Sequence, residues 1–379
     1  MIVKERPEWG ELATFIPNKG LPVYNWFYYK EGYARDLVMK LIDEFGLGKG
    51  DVVLDPFCGT GTTIIACQEM GIDSMGLDVH SPAVFAATVK SRKYDVLALK
   101  EASSLLLSER FQKPFSMPVS PLVKRMFARY TLEDIFFFRD RILPMKDHVA
   151  RDFLLLALMN VSMKCSYAWK DGAVIKIRKH PVPPLRKLLS RHVRFMVKDF
   201  KRLKRGKSRC SVSFGDARKT GITAGSVDAV ITSPPYLNKI EYSRIYAIEE
   251  ELFFSRAGLR PLRSHVGVHD SDIIDAERKL REIDERACVN AQSIAYFSDM
   301  WEVIKELHRV CRNGAKVGMV VGNGCFPEGV VDSDMILSKM AEKAGFKALE
   351  VRVLSKRNCT KNRVEKVGVT RESLLIWEK

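Results

Sequence analysis

The sequence lacks the marks of membrane, secreted and metal-binding proteins. Its longest apolar run, around residues 153–163, is about half as long as a bilayer crossing requires, and the opening MIVKERPEWG has no apolar signal core. The eight cysteines are scattered, without a C-x-x-C pair or a Cys/His cluster at zinc spacing. We therefore expect a cytoplasmic protein with most of its thiols reduced in the core, no bound metal and no membrane contact.

The composition is typical of a folded globular protein. Hydrophobic residues make up 46% of the 379 residues and charged residues 28%, unlike the polar composition of disordered chains. This length leaves room for two or three domains and a sizeable core.

Positive charge is concentrated in one segment. Residues 97–207 contain 25 Lys and Arg against 9 Asp and Glu, which accounts for the whole net charge of +16. A neutral body with a basic segment indicates a polyanionic partner, that is, a nucleic acid. The alternative is a solvated helix face, although residues 170–207 carry 14 basic residues and two acidic ones.

The basic segment is predicted to be mainly helical. Apolar spacing favours helices over residues 121–130, 132–143, 148–163 and 185–203, and YAWKDGAVIKIRKHPVPP between the last two favours a basic hairpin or loop. Tyr167 and Trp169 would stack on bases there, or pack in the core. The candidate nucleic-acid contacts are Lys170, Lys176, Arg178, Lys179, Lys201, Arg202, Lys204 and Arg205.

The flanking parts alternate short strands with amphipathic helices, as in DVVLD (51–55) followed by a helix from residue 62. This rhythm predicts an α/β fold with a Rossmann-like, doubly wound, mostly parallel sheet, whose last two strands (347–354 and 373–379) pair antiparallel. We expect residues 1–96 and 208–379 to be the two halves of this domain and residues 97–207 to be an inserted, mainly helical domain.

Ligands of such sheets bind at the carboxyl ends of the strands, where three motifs stand out. The first is the loop Asp55-Pro56-Phe57-Cys58-Gly59-Thr60-Gly61-Thr62, whose glycines allow a ligand close to the backbone and which lacks the Gly-Lys-Ser/Thr ending of a P-loop. The second is Asp78, which suits either two ribose hydroxyls or a helix-capping turn. Asp216 ends a further strand.

The third motif, Thr232-Ser233-Pro234-Pro235-Tyr236, is the most informative. Its prolines fix the backbone, so that the Ser233 hydroxyl and the Pro234 carbonyl can accept hydrogen bonds from an amino group and Tyr236 can stack on a flat base. Asn238 and Tyr242 follow closely enough to border the same pocket.

Together, DPFxGxGT and SPPY resemble the S-adenosylmethionine-dependent amino methyltransferases that modify exocyclic amines of nucleic-acid bases. Serine before the two prolines is most similar to the cytosine-N4 branch. The resemblance implies S-adenosylmethionine as cofactor and Ser233, Pro234, Pro235 and Tyr236 as the catalytic loop around the target base. It implies cofactor contacts from Asp55, Phe57, Gly59, Gly61 and Thr62 in the loop, Asp78 at the ribose, Asp216 at the adenine amine, and Asn25, Trp26 and Tyr28 in a closing segment.

The resemblance has departures. In many bacterial cytosine-N4 enzymes of DNA the proline motif precedes the glycine motif, the reverse of the order here. DPFCGTG is also similar to transfer-RNA guanosine-N2 methyltransferases, although those usually carry Asp at the position of Ser233.

Several substrates therefore remain open. Our preference is cytosine N4 in structured RNA, ribosomal RNA first, because an unpaired cytosine needs less extrusion than a stacked one. The alternatives are a site-specific DNA cytosine-N4 methyltransferase, a tRNA base methyltransferase, a methyltransferase of small molecules or protein amines, and an inactive cofactor-binding nucleic-acid protein.

Overall fold

The computed structural model describes residues 1–171, 174–237, 245–254, 273–361 and 365–379. The N-terminal part contains β1 (Ile2–Glu5), three 3-10 helices (Pro7–Ala13, Ile16–Gly20 and Tyr24–Trp26), α1 (Arg35–Phe45), β2 (Val52–Asp55), α2 (Thr62–Met70), β3 (Asp73–Asp78) and α3 (Ser81–Ser91). The basic segment contains α4 (Val96–Ser108), α5 (Pro121–Met126), α6 (Arg129–Ile142), α7 (His148–Lys164), β4 (Ala168–Asp171), β5 (Val174–Ile177) and α8 (Leu185–Arg202).

The remaining described elements complete the sheet and cover it. They are β6 (Cys210–Phe214), β7 (Val227–Thr232), α9 (Ala247–Phe253), α10 (Ile273–Arg281), a 3-10 helix (Glu285–Cys288), α11 (Ala291–Val310), β8 (Cys311–Gly322), β9 (Gly324–Phe326), β10 (Gly329–Val331), α12 (Ser333–Ala344), β11 (Lys347–Lys361) and β12 (Glu365–Glu378).

Eight strands form one sheet in the order β1-β11-β12-β8-β7-β2-β3-β6. Strands β8, β7, β2, β3 and β6 pair parallel, whereas β12 pairs antiparallel with both β8 and β11. The predicted doubly wound α/β fold and its antiparallel last pair are therefore confirmed. The strand order changes direction beside β2, which places the ends of β2, β3 and β7 around one crevice.

Local sequence explains the central elements. Strand β2 reads VVLD and is buried on both faces, as expected for a parallel strand between two layers of helices. Helix α2 begins after Gly61 and ends before Gly71, and both glycines adopt a left-handed backbone that a side chain would disfavour.

The basic segment shares a hydrophobic core with the N-terminal part. Helices α4 to α8 pack with α3, with α9 and with residues 23–29 in one continuous cluster. Trp26 has no exposed surface and packs edge-on against Phe153 of α7, with 5.4 Å between ring centroids. The boundaries 97 and 207 remain a prediction for domain limits.

Strands β4 and β5 form the predicted antiparallel hairpin. Ala168, Ile175 and Ile177 lie against the core, as the alternation of a strand requires. On the other face Trp169 is 57% exposed and pairs in register with exposed Lys176. The hairpin thus presents an aromatic ring and basic side chains outward.

Within the described residues, no helix is long and apolar enough to cross a bilayer. Six cysteines are free thiols, four of them buried, and Cys325 forms a disulfide bond with Cys359.

Lys90 is a fully buried cation between the N-terminal part and the glycine loop. Its Nζ donates to the carbonyl oxygens of Phe27 (3.4 Å) and Thr60 (3.3 Å). Burial lowers the pKa of Lys90 from its ordinary value to about 7.

We predict a pH-dependent stability difference between the wild type and Lys90→Met. Between about pH 7 and pH 10 the unfolded chain binds a proton at Lys90 that the folded chain has released, so the wild-type free energy of unfolding rises with pH. Relative to the variant, it should rise by about 2 kcal/mol from about pH 7 to about pH 9, measured by denaturant unfolding. Lys93→Met, at an exposed neighbour, is the control. If the free energies of unfolding of the wild type and of Lys90→Met changed with pH in the same way, the lowered pKa of Lys90 would be disproved.

Candidate functional site

Two adjacent cavities open where β2, β3 and β7 end. The first, of about 60 Å³, is lined by Tyr29, Glu31, Gly32, Tyr33, Phe57, Cys58, Gly59, Thr60, Thr62, Asp78, Val79, His80, Ser233 and Pro235. The second, of about 370 Å³, is lined by residues of the N-terminal part, by Ser233, Pro234 and Tyr236, and by Arg357 and Glu372. Glu31, Gly32 and Ser233 line both cavities. The structure therefore brings together the glycine loop, Asp78 and the proline loop, as predicted.

Asp55 lies beneath the site rather than in it. It is 1% exposed, and its carboxylate accepts hydrogen bonds from the hydroxyls of Tyr33 (2.8 Å), Thr63 (2.7 Å) and Thr232 (2.7 Å) and from the Phe57 N–H (3.2 Å). Burial raises the pKa of Asp55 to about 6, although these donors oppose the rise. Asp55 therefore holds the surrounding segments together, which corrects its prediction as a direct cofactor contact.

The glycines of the loop are required by close packing. At Gly59 (φ +50°) a Cβ would lie 3.1 Å from the Tyr29 ring, and at Gly61 (φ +84°) it would lie 3.0 Å from the Ala87 Cβ. Gly59 lines the first cavity, whereas Gly61 brings the loop against α3. Phe57 and Thr62 also line this cavity, in agreement with their predicted positions.

Asp78 forms the capping turn that was one of its two alternative roles, and its contact with a ribose remains a prediction. One carboxylate oxygen accepts from the Gly59 N–H and the other from the His80 N–H, each at 2.9 Å. Because each oxygen can accept a second hydrogen bond, Asp78 caps the loop and retains acceptors toward the first cavity.

Asp216 lies at the same edge of the sheet but outside the linings of both cavities. Phe214, two residues earlier, pairs in register with Asp78. The Asp216 carboxylate forms a 2.7 Å ion pair with Arg218, which also pairs with Asp299 at 2.8 Å. Its predicted contact with adenine remains a prediction.

The predicted closing segment is only partly at the site. Tyr28 is 46% exposed and lines the second cavity. Trp26 is buried in the core shared with α7, and its carbonyl accepts from Asn160. Asn25 lies one residue before it and lines neither cavity. We therefore remove Trp26 from the candidate cofactor contacts, because it packs in the core of the basic segment, and the cofactor contact of Asn25 remains a prediction.

Tyr29, Glu31 and Tyr33 are site residues that the sequence reasoning missed. The Tyr29 ring stacks on Tyr246 at 5.2 Å, and the Tyr246 hydroxyl donates to Glu31 at 3.0 Å. Burial raises the pKa of Glu31. Their position in NWFYYKEGY (25–33), the aromatic stretch that also contains Asn25, Trp26 and Tyr28, is the sequence signal for them.

The proline loop separates the two cavities. Ser233 lines both, Pro235 faces the first, and Pro234 and Tyr236 face the second. The Tyr236 hydroxyl donates to Glu372 at 3.0 Å, and its ring lies so close to Gly322 that a Cβ there would come within 2.6 Å. Asn238 and Tyr242 lie outside the described residues.

At least three of the candidate nucleic-acid contacts have internal partners: Arg202 pairs with Asp199 at 3.4 Å but stays exposed, whereas two others are held within the fold. Lys170 pairs with Glu249 at 2.6 Å and lies over the Tyr246 ring. Arg205 donates to the carbonyls of Lys90, Ser91 and Arg92, which joins the end of α8 to α3. These two side chains stabilise the fold, which corrects their prediction as phosphate contacts. Exposed side chains are found at Lys176, Arg178, Lys179, Lys201, Arg202 and Lys204.

Comparison with known proteins agrees with this arrangement. A family model described as DNA methylase matches residues 17–88. Type II methyltransferase M.BsoBI of Geobacillus stearothermophilus is 27% identical over 97% of this chain and 88% of the relative. M.AvaI of Nostoc sp. is 26% identical over 91% of this chain and 83% of the relative. A probable tRNA (guanine(10)-N2)-dimethyltransferase of Methanothermococcus thermolithotrophicus is 38% identical over 16% of this chain and 37% of the relative.

These likenesses confirm the resemblance to the amino methyltransferases of nucleic acids, and with it the predicted cofactor, S-adenosylmethionine. The residues of the first cavity fit this molecule. Gly59 and Asp78 line this cavity, Asp78 retains acceptors for hydroxyl groups, and the carboxylates of Glu31 and Asp78 suit a cationic sulfonium. In the described ranges, no cluster of His, Cys, Asp and Glu is arranged to hold a metal ion.

We predict that Asp55→Ala lowers the stability of the cofactor-free protein. Removal of the carboxylate leaves buried hydroxyls of Tyr33, Thr63 and Thr232 short of an acceptor, at a cost of about 2–5 kcal/mol. Denaturant unfolding without cofactor measures it, with Asp78→Ala as the control. An Asp55→Ala protein as stable as Asp78→Ala would contradict the structural role.

We predict that Asp78→Ala weakens S-adenosylmethionine binding by about 5- to 150-fold, because unpaired ribose hydroxyls cost about 1–3 kcal/mol. Calorimetric titration measures the affinity. Asp73→Ala, at the other end of β3, should bind normally. Unchanged affinity in Asp78→Ala would remove this carboxylate from the cofactor site.

Proposed function

We propose that this chain, an S-adenosylmethionine-dependent methyltransferase, transfers the methyl group to the exocyclic N4 amine of cytosine in DNA. The observation that carries the proposal is the position of Ser233 between the two cavities, beside Asp78 and the glycine loop in the first and Pro234 and Tyr236 in the second. A cofactor in the first cavity and a base in the second would meet at Ser233.

The proline loop supplies what a cytosine amine needs. The lone pair of that amine is delocalised into the ring, so the nitrogen is a poor nucleophile until acceptors draw its hydrogens out of the ring plane. In our proposal the Ser233 hydroxyl and the Pro234 carbonyl accept those hydrogens and Tyr236 holds the ring. S-adenosylmethionine supplies an electrophilic methyl group on its sulfonium.

The fixed geometry of the proline loop would provide much of the rate enhancement of methyl transfer. The prolines restrict the backbone, Glu372 accepts from the Tyr236 hydroxyl, and Thr232 is bound to Asp55. Holding two reactants in an aligned pair is worth roughly 7–11 kcal/mol in favourable cases.

DNA replaces RNA as the preferred polymer. The family model that matches residues 17–88 describes DNA methylases, and two Type II methyltransferases align with more than nine-tenths of this chain. The preference for ribosomal RNA has no such support. The choice of cytosine N4 depends on Ser233, since serine before the two prolines is most similar to the cytosine-N4 branch.

The basic segment is proposed to recognise the DNA. Its hairpin exposes Trp169 and Lys176 on one face, with exposed Arg178 following, and this combination suits stacking and phosphate contact. Cytoplasmic location also remains a proposal.

We predict that Ser233→Ala and Tyr236→Ala lose about 100-fold or more in methyl transfer and keep their cofactor affinity, by analogy with the loss of one transition-state hydrogen bond. Tyr236→Phe should be milder, because the ring is retained although its bond to Glu372 is lost. Labelled methyl transfer to unmethylated genomic DNA and calorimetry with S-adenosylmethionine measure the two quantities.

The matched control is Ser226→Ala, since Ser226 is an exposed serine directly before β7. If Ser233→Ala lost cofactor affinity as strongly as rate, the loop would belong to the cofactor site alone. Transfer to total RNA without transfer to DNA would reverse the choice of polymer.

A further inference from the structure

The β11–β12 hairpin continues well past its neighbours in the sheet. Within the described residues, β1 pairs with β11 over Glu350–Val353 and β8 pairs with β12 over Glu372–Glu378. The stretch 355–371 is here called the arm; Ser355 pairs with Glu372, and the described parts 356–361 and 365–371 pair with each other. The arm is therefore a two-stranded extension beyond the main sheet.

The arm is fixed to the protein partway along its length, at the cross-strand pair of Cys359 and Gly368. Cys359 is disulfide-bonded to Cys325 of β9, and a Cβ on Gly368 would lie 2.6 Å from Val330 of β10. These contacts hold one part of the arm against the small β9–β10 sheet, so its direction is defined.

The arm is strongly basic, with six Lys and Arg residues and one acidic residue in SKRNCTKNRVEKVGVTR. Two of the cations are neutralised, since Lys356 pairs with Glu5 and Arg371 pairs with Asp334. Arg357 and Lys366 are exposed and form no salt bridge with the described part of the chain. Because the residues outside 97–207 have a summed charge of zero, the positive charge of the arm is not visible in the overall composition.

Arg357 lies at the second cavity, in which the target base is proposed to bind. It lines the second cavity together with Ser233, Pro234 and Tyr236, and it lines a further cavity of about 190 Å³ with Asn323 and Asn358. The arm thus contributes a wall to the cavity in which the target base is proposed to bind.

We propose that the arm binds the phosphodiester backbone of the DNA strand that carries the target base, with Arg357 and Lys366 contacting phosphates. This inference rests on the proposed function. A base in the second cavity stays covalently attached to its sugar and phosphates, so anionic groups must lie at the rim of that cavity. An exposed guanidinium at this rim matches phosphate geometry with two parallel hydrogen bonds. Together with the β4–β5 hairpin, the arm gives the DNA two separate basic contacts.

The test is charge reversal on the arm. Binding of the full chain to a DNA duplex of a few helical turns, without a chosen sequence, is measured by fluorescence anisotropy over a series of salt concentrations. The double variant Arg357→Glu/Lys366→Glu should flatten the plot of log affinity against log salt by about 0.9 for each lost contact. Its affinity for S-adenosylmethionine should not change.

Matched controls separate a local contact from overall charge. Lys343→Glu/Lys347→Glu carries the same charge change on two exposed residues, in the last turn of α12 and at the start of β11, and should keep the wild-type slope. Arg357→Gln/Lys366→Gln removes the charges without reversing them and should flatten the slope to a similar degree, which covers the case in which the reversed variant fails to fold.

The outcomes distinguish this inference from the proposed function. An unchanged slope in both arm variants, with a reduced slope in Lys176→Glu/Arg178→Glu, would overturn the arm contact and leave the proposed function standing. A wild-type protein that binds S-adenosylmethionine but has no salt-dependent affinity for DNA would overturn both.

Discussion

One buried carboxylate organises the functional edge of this protein. Asp55 ends the first central strand and accepts hydrogen bonds from the N-terminal part through Tyr33, from α2 through Thr63 and from the end of β7 through Thr232. Three of the chain segments that line the cavities are therefore hydrogen-bonded to one carboxylate. Since a buried carboxylate is costly unless its oxygens are satisfied, the arrangement favours one relative placement of these segments. The positions of Asp78 and Ser233 depend on that placement.

The basic segment is joined to this edge and is not a detached module. Trp26 packs into its core, and Lys170 of its hairpin pairs with Glu249 beside Tyr246, whose hydroxyl reaches Glu31 of the site. A polymer held by the exposed face of the hairpin would therefore lie close to the cavities. The same packing explains why some basic side chains of the segment serve the fold rather than a ligand.

The sequence predicted much of the fold and site because the relevant signals are local. Strand and helix periodicity, the glycine loop, Asp78 and the proline loop are each readable within about ten residues. Residues whose role depends on long-range packing were misread, as with Trp26 and Arg205, because burial by a distant helix leaves no local pattern. The arm was missed for a related reason. Its strands extend past the hydrophobic runs that marked β11 and β12, and its charge is balanced elsewhere in the chain.

In the proposed function, the Ser233 loop directs methylation to cytosine N4 in DNA. The most direct measurement is mass spectrometry of nucleosides from unmethylated DNA incubated with the protein and S-adenosylmethionine, with the Ser233→Ala protein in parallel. We expect N4-methylcytosine with the wild type and a loss of that product with the variant. N6-methyladenine as the product, or methylation of RNA with none in DNA, would contradict the proposed function.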